Sequence, residues 1–419
     1  MSRPSSAKPE RLLIIGNGMA SVRLCEEILA HAGGRFEITV VGAEPRPGYN
    51  RVLLSALLAG DIGEADVKLR DAAWYAARGI TLITGRRVTG LDPAARIARL
   101  DDDTLLPFDR AVLATGSTPF RLPIPGIDLP GVMTFRDLAD LPALQQAARQ
   151  GKPVAVIGGG LLGIEAAYGL AKGGAEVTLV HVMDRLMERQ LDRRSAAFLR
   201  RAIEKKGIRV LLNAQTAEIS GSAKAEALAF ADGSRLPIDL VVVAVGVRPV
   251  VDLAKAADLP VKRGILVDDR LTTVVPFIHA IGECAEHRDI VYGLVQPAYE
   301  QARVLARHLG GDEAARYEGT ALSTNLKVSG IPVFSTGDFL GEGGTDEIIL
   351  EDRGAGLCKR LVVQGSRLVG AALVGEADDA IWYRDLIQGG ADIAPIRESL
   401  IFGRAFCETV VPQPCKEAA

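Results

Sequence analysis

Cysteine is scarce and scattered. The 419 residues contain five, Cys25, Cys284, Cys358, Cys407 and Cys415, and no two of them form a Cys-x-x-Cys pair. Such a set excludes a disulfide framework and points to a reducing, cytoplasmic setting. It also provides no Cys-rich run to hold an iron–sulfur cluster. A dominant charge is missing as well: 49 Lys+Arg against 52 Asp+Glu leave a net charge of −3. That excludes nucleic-acid binding driven by bulk positive charge. Long apolar runs are absent too. One of the longest, Leu240–Val247, is roughly half of a membrane span, so no membrane partner is expected. Met1–Arg11 is polar and charged, with no apolar stretch before a small-residue cleavage site. Residues 1–10 therefore read as a flexible leader rather than a secretory signal.

Glycine, by contrast, is abundant at 45 residues, with no collagen-like period. The excess is expected in tight turns and cofactor loops. Arg11–Ile15 reads as a strand that runs into Gly16-Asn17-Gly18-Met19-Ala20-Ser21. A helical face of Val22, Cys25, Ile28 and Leu29 follows, then a strand Phe36–Val41 ending in Gly42-Ala43-Glu44. The same grammar returns 142 residues later: strand Pro153–Ile157, turn Gly158-Gly159-Gly160-Leu161-Leu162-Gly163, helix Ile164–Lys172 and strand Glu176–Val182. Repetition at that distance is a duplication of whole domains rather than a solenoid. Between the copies, Gly79–Leu100 alternates as short strands, and Asp101-Asp102-Asp103 reads as a solvated hairpin tip. Ala111–Pro119 and Leu240–Pro249 are paired strand-plus-turn segments, and Phe277–Glu283 is a further strand. Pro297–Leu309 is helical. From about residue 320 the pattern changes to alternating strands, including Lys359–Val363 and Arg367–Val374, and a final helix Ala380–Gln388.

A Gly-x-Gly turn between strand and helix lets backbone approach a pyrophosphate, and the helix start supplies free N–H groups and partial positive charge. Two copies, each in a strand–turn–helix–strand setting, point to two dinucleotide sites. In the first, Gly16 and Gly18 make the turn, Ser21 replaces the third glycine, and Glu44 is the acid expected to accept from a ribose hydroxyl. In the second, Gly158, Gly160 and Gly163 are all present, but His181 stands where an acid is usual. His181 is either a ribose or phosphate contact or a plain strand-end histidine. Arg185 either supports a 2′-phosphate or is a surface arginine. The preference between NADH and NADPH stays open.

The glycine motifs, Ala114-Thr115-Gly116 and Gly246-Val247-Arg248-Pro249 resemble the two-dinucleotide-fold FAD/NAD(P)H-dependent reductases. Four more segments are most similar to the FAD/NADH-binding portion of assimilatory NADH-dependent nitrite reductase large subunits and of nitrate-assimilation electron-transfer subunits. They are Tyr49–Ser55, Met187–Asp192, Gly282–His287 and Ser323–Gly330. Rubredoxin and ferredoxin reductases are related. The resemblance implies an α/β fold with two Rossmann-like dinucleotide-binding domains plus a smaller C-terminal α+β domain. Residues 11–118 and 248–320 would form the FAD-binding domain, 119–247 the NAD(P)H-binding domain and 321–419 the C-terminal domain.

The resemblance also implies roles. Gly16, Gly18, Met19, Ala20 and Glu44 would hold the adenosine end of FAD, with Val88 beside them. Ala114, Thr115, Gly116, Gly282 and Glu283 would hold its middle, where many relatives carry Asp in place of Glu283. Tyr49 to Ser55 would follow the pyrophosphate and flavin, with Arg51 the chief residue of that stretch. Gln296 and Pro297 open a helix aimed at the ring. Gly158, Gly160, Leu161, Leu162, Gly163, His181 and Gly246 would hold NADH, or NADPH. Ferredoxin-type relatives pair a lysine with the glutamate that is Glu165 here. That lysine is replaced by Ala56, so Glu165 either lines the nicotinamide pocket or is an ordinary first-turn glutamate.

Large subunits of this type continue into iron–sulfur and sirohaem segments. Within these 419 residues there is no such segment, and Cys407 and Cys415 have the wrong number and spacing for a cluster. The chain is therefore expected to take hydride from NADH onto FAD and to pass electrons to a separate protein. That acceptor is a nitrate or nitrite reductase component, a rubredoxin or a ferredoxin. The alternatives are a reductase of another pathway or a redox-responsive flavoprotein binding module. The basic residues Arg193, Arg194, Arg200, Arg201, Lys205 and Lys206 form either a docking face for an acidic partner or a solvated helix face.

Overall fold

The computed structural model describes residues 8–320, 323–341 and 343–407. The chain forms two compact units. One is Met1–Leu57, Ile62–Pro119 and Val247–Thr320, and the other is Leu58–Asp61, Phe120–Gly246 and Ala321–Ala419.

The first unit is built on β1 (Glu10–Ile15), α1 (Met19–His31) and β2 (Phe36–Gly42). β1 and β2 run parallel, with Leu12 opposite Ile38 and Ile14 opposite Val40. Strands Ile278–Ala280, Arg110–Leu113 and Thr81–Thr84 complete a five-stranded parallel sheet. Leu12 and Ile14 enter one core with Leu24, Ile28 and Val40. Leu13 and Ile15 enter another with Val41 and Leu113. Burial on both faces is why this sequence reads as a continuous apolar run rather than an alternation. α1 packs against the long helix Val295–Leu309. The short strands Val88–Asp92, Ile97–Leu100 and Leu105–Pro107 form an antiparallel sheet, with Asp101 to Asp103 exposed at a hairpin tip.

In the second unit, β3 (Pro153–Ile157), α2 (Leu161–Lys172) and β4 (Glu176–Val180) repeat that arrangement. The sheet order is Arg209–Leu211, β4, β3, Leu240–Val243, Val132–Thr134, all parallel. Helix α3 (Arg193–Glu204) follows β4. The C-terminal part is a five-stranded antiparallel sheet covered by helix Ala380–Gly389. Its core contains Phe334, Leu361, Leu373, Tyr383 and Leu400, and Cys407 is buried in it. Cys415 and the side chains of Ser323 to Val328 lie outside the described residues.

Candidate functional site: two glycine turns

β1 ends at Ile15, and the chain turns through Gly16 at φ +113°. A Cβ there would stand 2.1 Å from the Ala114 carbonyl oxygen, so only glycine lets the turn pass beneath the neighbouring strand. Gly18 caps α1 with no side-chain hydrogen bond, and a Cβ on it would meet nothing within 4 Å. The second copy repeats both features. Gly158 turns at φ +124° with a would-be Cβ 2.2 Å from Ala244 O, and Gly160 faces open space at the uncapped start of α2. A Cβ on Gly163 would lie 1.9 Å from Gly158 O, whereas the first copy accommodates the buried Ser21 at that position. Met19, Ala20 and Leu161 are half-buried around these helix starts, and Leu162 is exposed.

Two uncapped helix N-termini, each approached only by glycine, fit the pyrophosphates of two dinucleotides. In the first turn the Asn17 Nδ2 donor also lacks a protein partner among the described residues. Bound FAD would be held at Gly16 and Gly18, and NAD(P)H at Gly158 and Gly160.

Beyond β2, Glu44 accepts from Tyr49 Oη at 2.8 Å and from the Arg51 guanidinium. That guanidinium lies over the Tyr49 ring, 5.1 Å from its centroid. Gly48 brings this segment against the first turn, because a Cβ there would be 2.7 Å from Asn17 O. Sequence reading missed Gly48. It expected Arg51 along the pyrophosphate and flavin. In the structure Arg51 is an ion-pair partner of Glu44. The Val88 side chain belongs to the core beside Leu91 and Leu100, which leaves its backbone as what it can offer a ligand. Ser55 is half-buried in the short helix Leu54–Leu58.

The segments expected around the middle of FAD meet in the first unit. Ala114 N–H donates to Ile15 O at 2.8 Å, and Val250 N–H donates to Gly116 O at 2.9 Å. The Thr115 hydroxyl donates to Val250 O at 2.7 Å, which ties the two crossover segments and leaves its oxygen able only to accept. Ser117 Oγ donates to Glu283 at 2.6 Å. Gly282, at φ +78°, faces the Ala20 methyl 3.2 Å from its would-be Cβ, and its N–H donates to the buried Gln301 at 2.7 Å. Gln301 is a second residue that sequence reading missed. Gln296 is exposed and donates to Glu300 at 2.9 Å, and Pro297 is buried beside it.

In the second unit, His181 is buried, and Gly159 N–H donates to its Nδ1 at 3.0 Å. Nδ1 is therefore the acceptor, so Nε2 carries the proton and donates to Glu188 at 3.0 Å. Both ring nitrogens are thus engaged by protein, and the ring is part of the scaffold of the turn. Arg185 pairs with Asp184 at 2.9 Å and donates to Leu191 O. Gly246, at φ +111°, faces open space, and Glu165 sits half-buried in the first turns of α2. Of the basic stretch, Arg193 pairs with Asp184, Arg194 with Glu351 and Arg200 with Glu204. Half of its charge is thus met within the chain.

Thiol chemistry has no foothold among the described residues. Cys25, Cys284, Cys358 and Cys407 are all buried. Burial pushes Cys25 up to about 12 and Cys358 up to about 11, and raises Cys284 and Cys407. None is a thiolate at neutral pH.

A family model described as pyridine nucleotide-disulphide oxidoreductase matches residues 10–302, and one described as rubredoxin NAD+ reductase C-terminal domain matches residues 323–391. The chain is 48% identical over 385 residues to a nitrite reductase [NAD(P)H] of Bacillus subtilis, covering 92% of this chain and 48% of the relative. It is 42% identical over 394 residues to an assimilatory nitrate reductase electron transfer subunit of the same organism, covering 94% of this chain and 51% of the relative. The chain thus spans about half the length of these relatives. A ferredoxin reductase structure from Rhodopseudomonas palustris aligns at TM-score 0.83 and 27% identity, covering 94% of this chain and all of that one.

Proposed function

The chain belongs to the pyridine nucleotide-disulphide oxidoreductase family, and from that premise we propose that it carries reducing equivalents from NADH to a separate electron-acceptor protein of nitrate or nitrite assimilation. The family is FAD- and NAD(P)H-dependent, and the chain is an NAD(P)H-dependent oxidoreductase. The observation that supports the rest is the duplicated turn. Gly16 beneath Ala114 and Gly158 beneath Ala244 each place an uncapped helix start where a pyrophosphate can reach backbone N–H groups.

Bound FAD would supply the redox chemistry, that of a two-electron acceptor able to pass electrons on singly. The protein contributes binding and orientation. Glu44, held by Tyr49 and Arg51, is available to a ribose at the first turn. Ser117 fixes the Glu283 carboxylate at the edge where Gly282 meets α1. No side-chain general base is needed to move a hydride, so positioning carries most of the effect. Buried thiols support an outlet for electrons other than a disulfide. The rubredoxin-reductase C-terminal domain favours a small redox protein as that outlet, and the nitrate-assimilation relative supports the pathway.

Purified protein should be yellow, and NADH should bleach the flavin band anaerobically. Reoxidation should then be faster with a rubredoxin-like carrier or a nitrate-reducing partner than with oxygen. A protein that retains no flavin after reconstitution with FAD, or whose flavin NADH does not bleach, would overturn the proposal.

A further inference from the structure

The strand-end position after β4 lacks the acid that a nucleotide fold uses to receive the adenosine ribose, yet a carboxylate reaches that place from further along the chain. The loop after β4 folds back on the second turn: Met187 N–H donates to Gly159 O at 2.9 Å. Gly159 N–H donates to His181 Nδ1, and a Cβ on Gly159 would lie 2.5 Å from His181 Cγ, so the ring packs against the glycine. The acceptor role of Nδ1 puts the proton on Nε2, and that proton is given to Glu188. Glu188 keeps 24% of its side-chain surface exposed, against 9% for His181. The carboxylate is thus the part of the pair that a ligand meets. Val182 and Met183, 55% and 43% exposed, leave apolar surface immediately after the strand, suited to an adenine ring. The nearby cation is already engaged, because Arg185 is held by Asp184, which also holds Arg193.

We propose that Glu188, aimed by His181, receives the 2′-hydroxyl of the nicotinamide dinucleotide and makes the second site selective for NADH over NADPH. The proposal rests on the reading of the second turn as the NAD(P)H site. A ribose hydroxyl donates to the carboxylate, whereas a 2′-phosphate would bring a second anion against it with no uncommitted cation in Arg185. Glu188 is the specificity-determining residue, and His181 is a positioning residue.

Calorimetry on the holoprotein tests this without turnover, using NAD+ and NADP+ together with 5′-AMP and 2′,5′-ADP as probes. NAD+ should bind at least about tenfold more tightly than NADP+, a gap of the size that one charge clash sets. Glu188→Gln should narrow that ratio by about tenfold, with the change in NADH-driven flavin reduction falling on KM. His181→Ala should narrow it in the same direction. His181→Gln, which keeps a donor toward Glu188, should restore part of it at an unchanged melting temperature. Tighter binding of 2′,5′-ADP than of 5′-AMP to the wild type, as an Arg189-based phosphate site would give, overturns the proposal. So does a Glu188→Gln ratio within twofold of wild type. Selective nucleotide binding without flavin bleaching would count against the electron-transfer function and leave this assignment standing.

Discussion

Gly158 and Gly160 stand two residues apart and answer to different constraints. Gly158 sits at φ +124°, with its would-be Cβ 2.2 Å from Ala244 O. Gly160 has an ordinary extended φ of −80° and open space where a methyl would go. Gly158→Ala therefore acts on the fold: left-handed strain and a backbone clash together should remove about 2–4 kcal/mol of stability, read by denaturant unfolding. Gly160→Ala acts on the ligand. Its unfolding free energy should stay within about 1 kcal/mol of wild type, while NAD+ affinity falls about tenfold because the backbone can no longer approach a pyrophosphate. Unchanged NAD+ affinity in Gly160→Ala would remove the second turn from the nucleotide site. His181 gives the complementary lesson. Its ring fills the space beside Gly159, so the glycine there is required by a side chain and not by a ligand.

At the scale of elements, the helices divide by how their N-termini are satisfied. α1 and α2 begin at glycines that give no side-chain cap, leaving their first N–H groups to a ligand. α3 begins at Asp192, which accepts from Arg194 N–H, Ser195 N–H and Ser195 Oγ. Asp192→Ala should cost about 2 kcal/mol, since it removes a cap and strands the buried Ser195 hydroxyl. Asp192→Asn should cost less, and neither should alter flavin content. Both can be followed by the fluorescence of Trp382. The same division explains what could be read from sequence. Strand, glycine turn and helix are local patterns, and burial of both sheet faces writes β1 and β3 as unbroken apolar runs, so the duplicated fold was legible. The pairing of Arg51 with Glu44 was not legible, because it depends on a loop folding back to Glu44 and no spacing rule encodes that. Glu188 escaped because it reaches the strand end through His181 rather than by occupying it. Val88, expected as a cofactor contact, also starts an amphipathic strand, and its side chain packs into the core.

On the scale of the whole molecule, the chain contains two tryptophans, and Trp74 falls in the first compact unit while Trp382 falls in the second. Unfolding can therefore be followed one unit at a time, which matters because a chain of several domains need not melt in one step. The first unit buries a histidine in its parallel sheet. His279 contacts Thr272 Oγ1 at 3.1 Å through Nδ1, and its Nε2 has no partner among the described residues. Burial pushes its pKa down to about 3 from 6.5, with the nearby His308 and Arg110 adding to the effect. The folded unit thus keeps this ring neutral while the unfolded chain protonates it below pH 6.5. Between pH 6.5 and 3 the unfolded state binds more protons, so stability rises with pH across that window and is lost on acidification. At pH 5.5 this one group should cost about 1.4 kcal/mol relative to pH 7.5. Asp109 and Asp269, each held down to about 2 by arginine partners, add their loss only below the ordinary carboxylate range, near pH 4 and lower. In a Trp382→Phe background, Trp74 fluorescence should report urea unfolding of the first unit with that loss between pH 7.5 and 5.5. His279→Leu should remove about 1.4 kcal/mol of the pH difference whatever it does to stability at pH 7.5, leaving what His308 adds, since burial lowers its pKa too. If the variant keeps the full slope, the acid sensitivity comes from other groups, and the neutral buried imidazole is not its source.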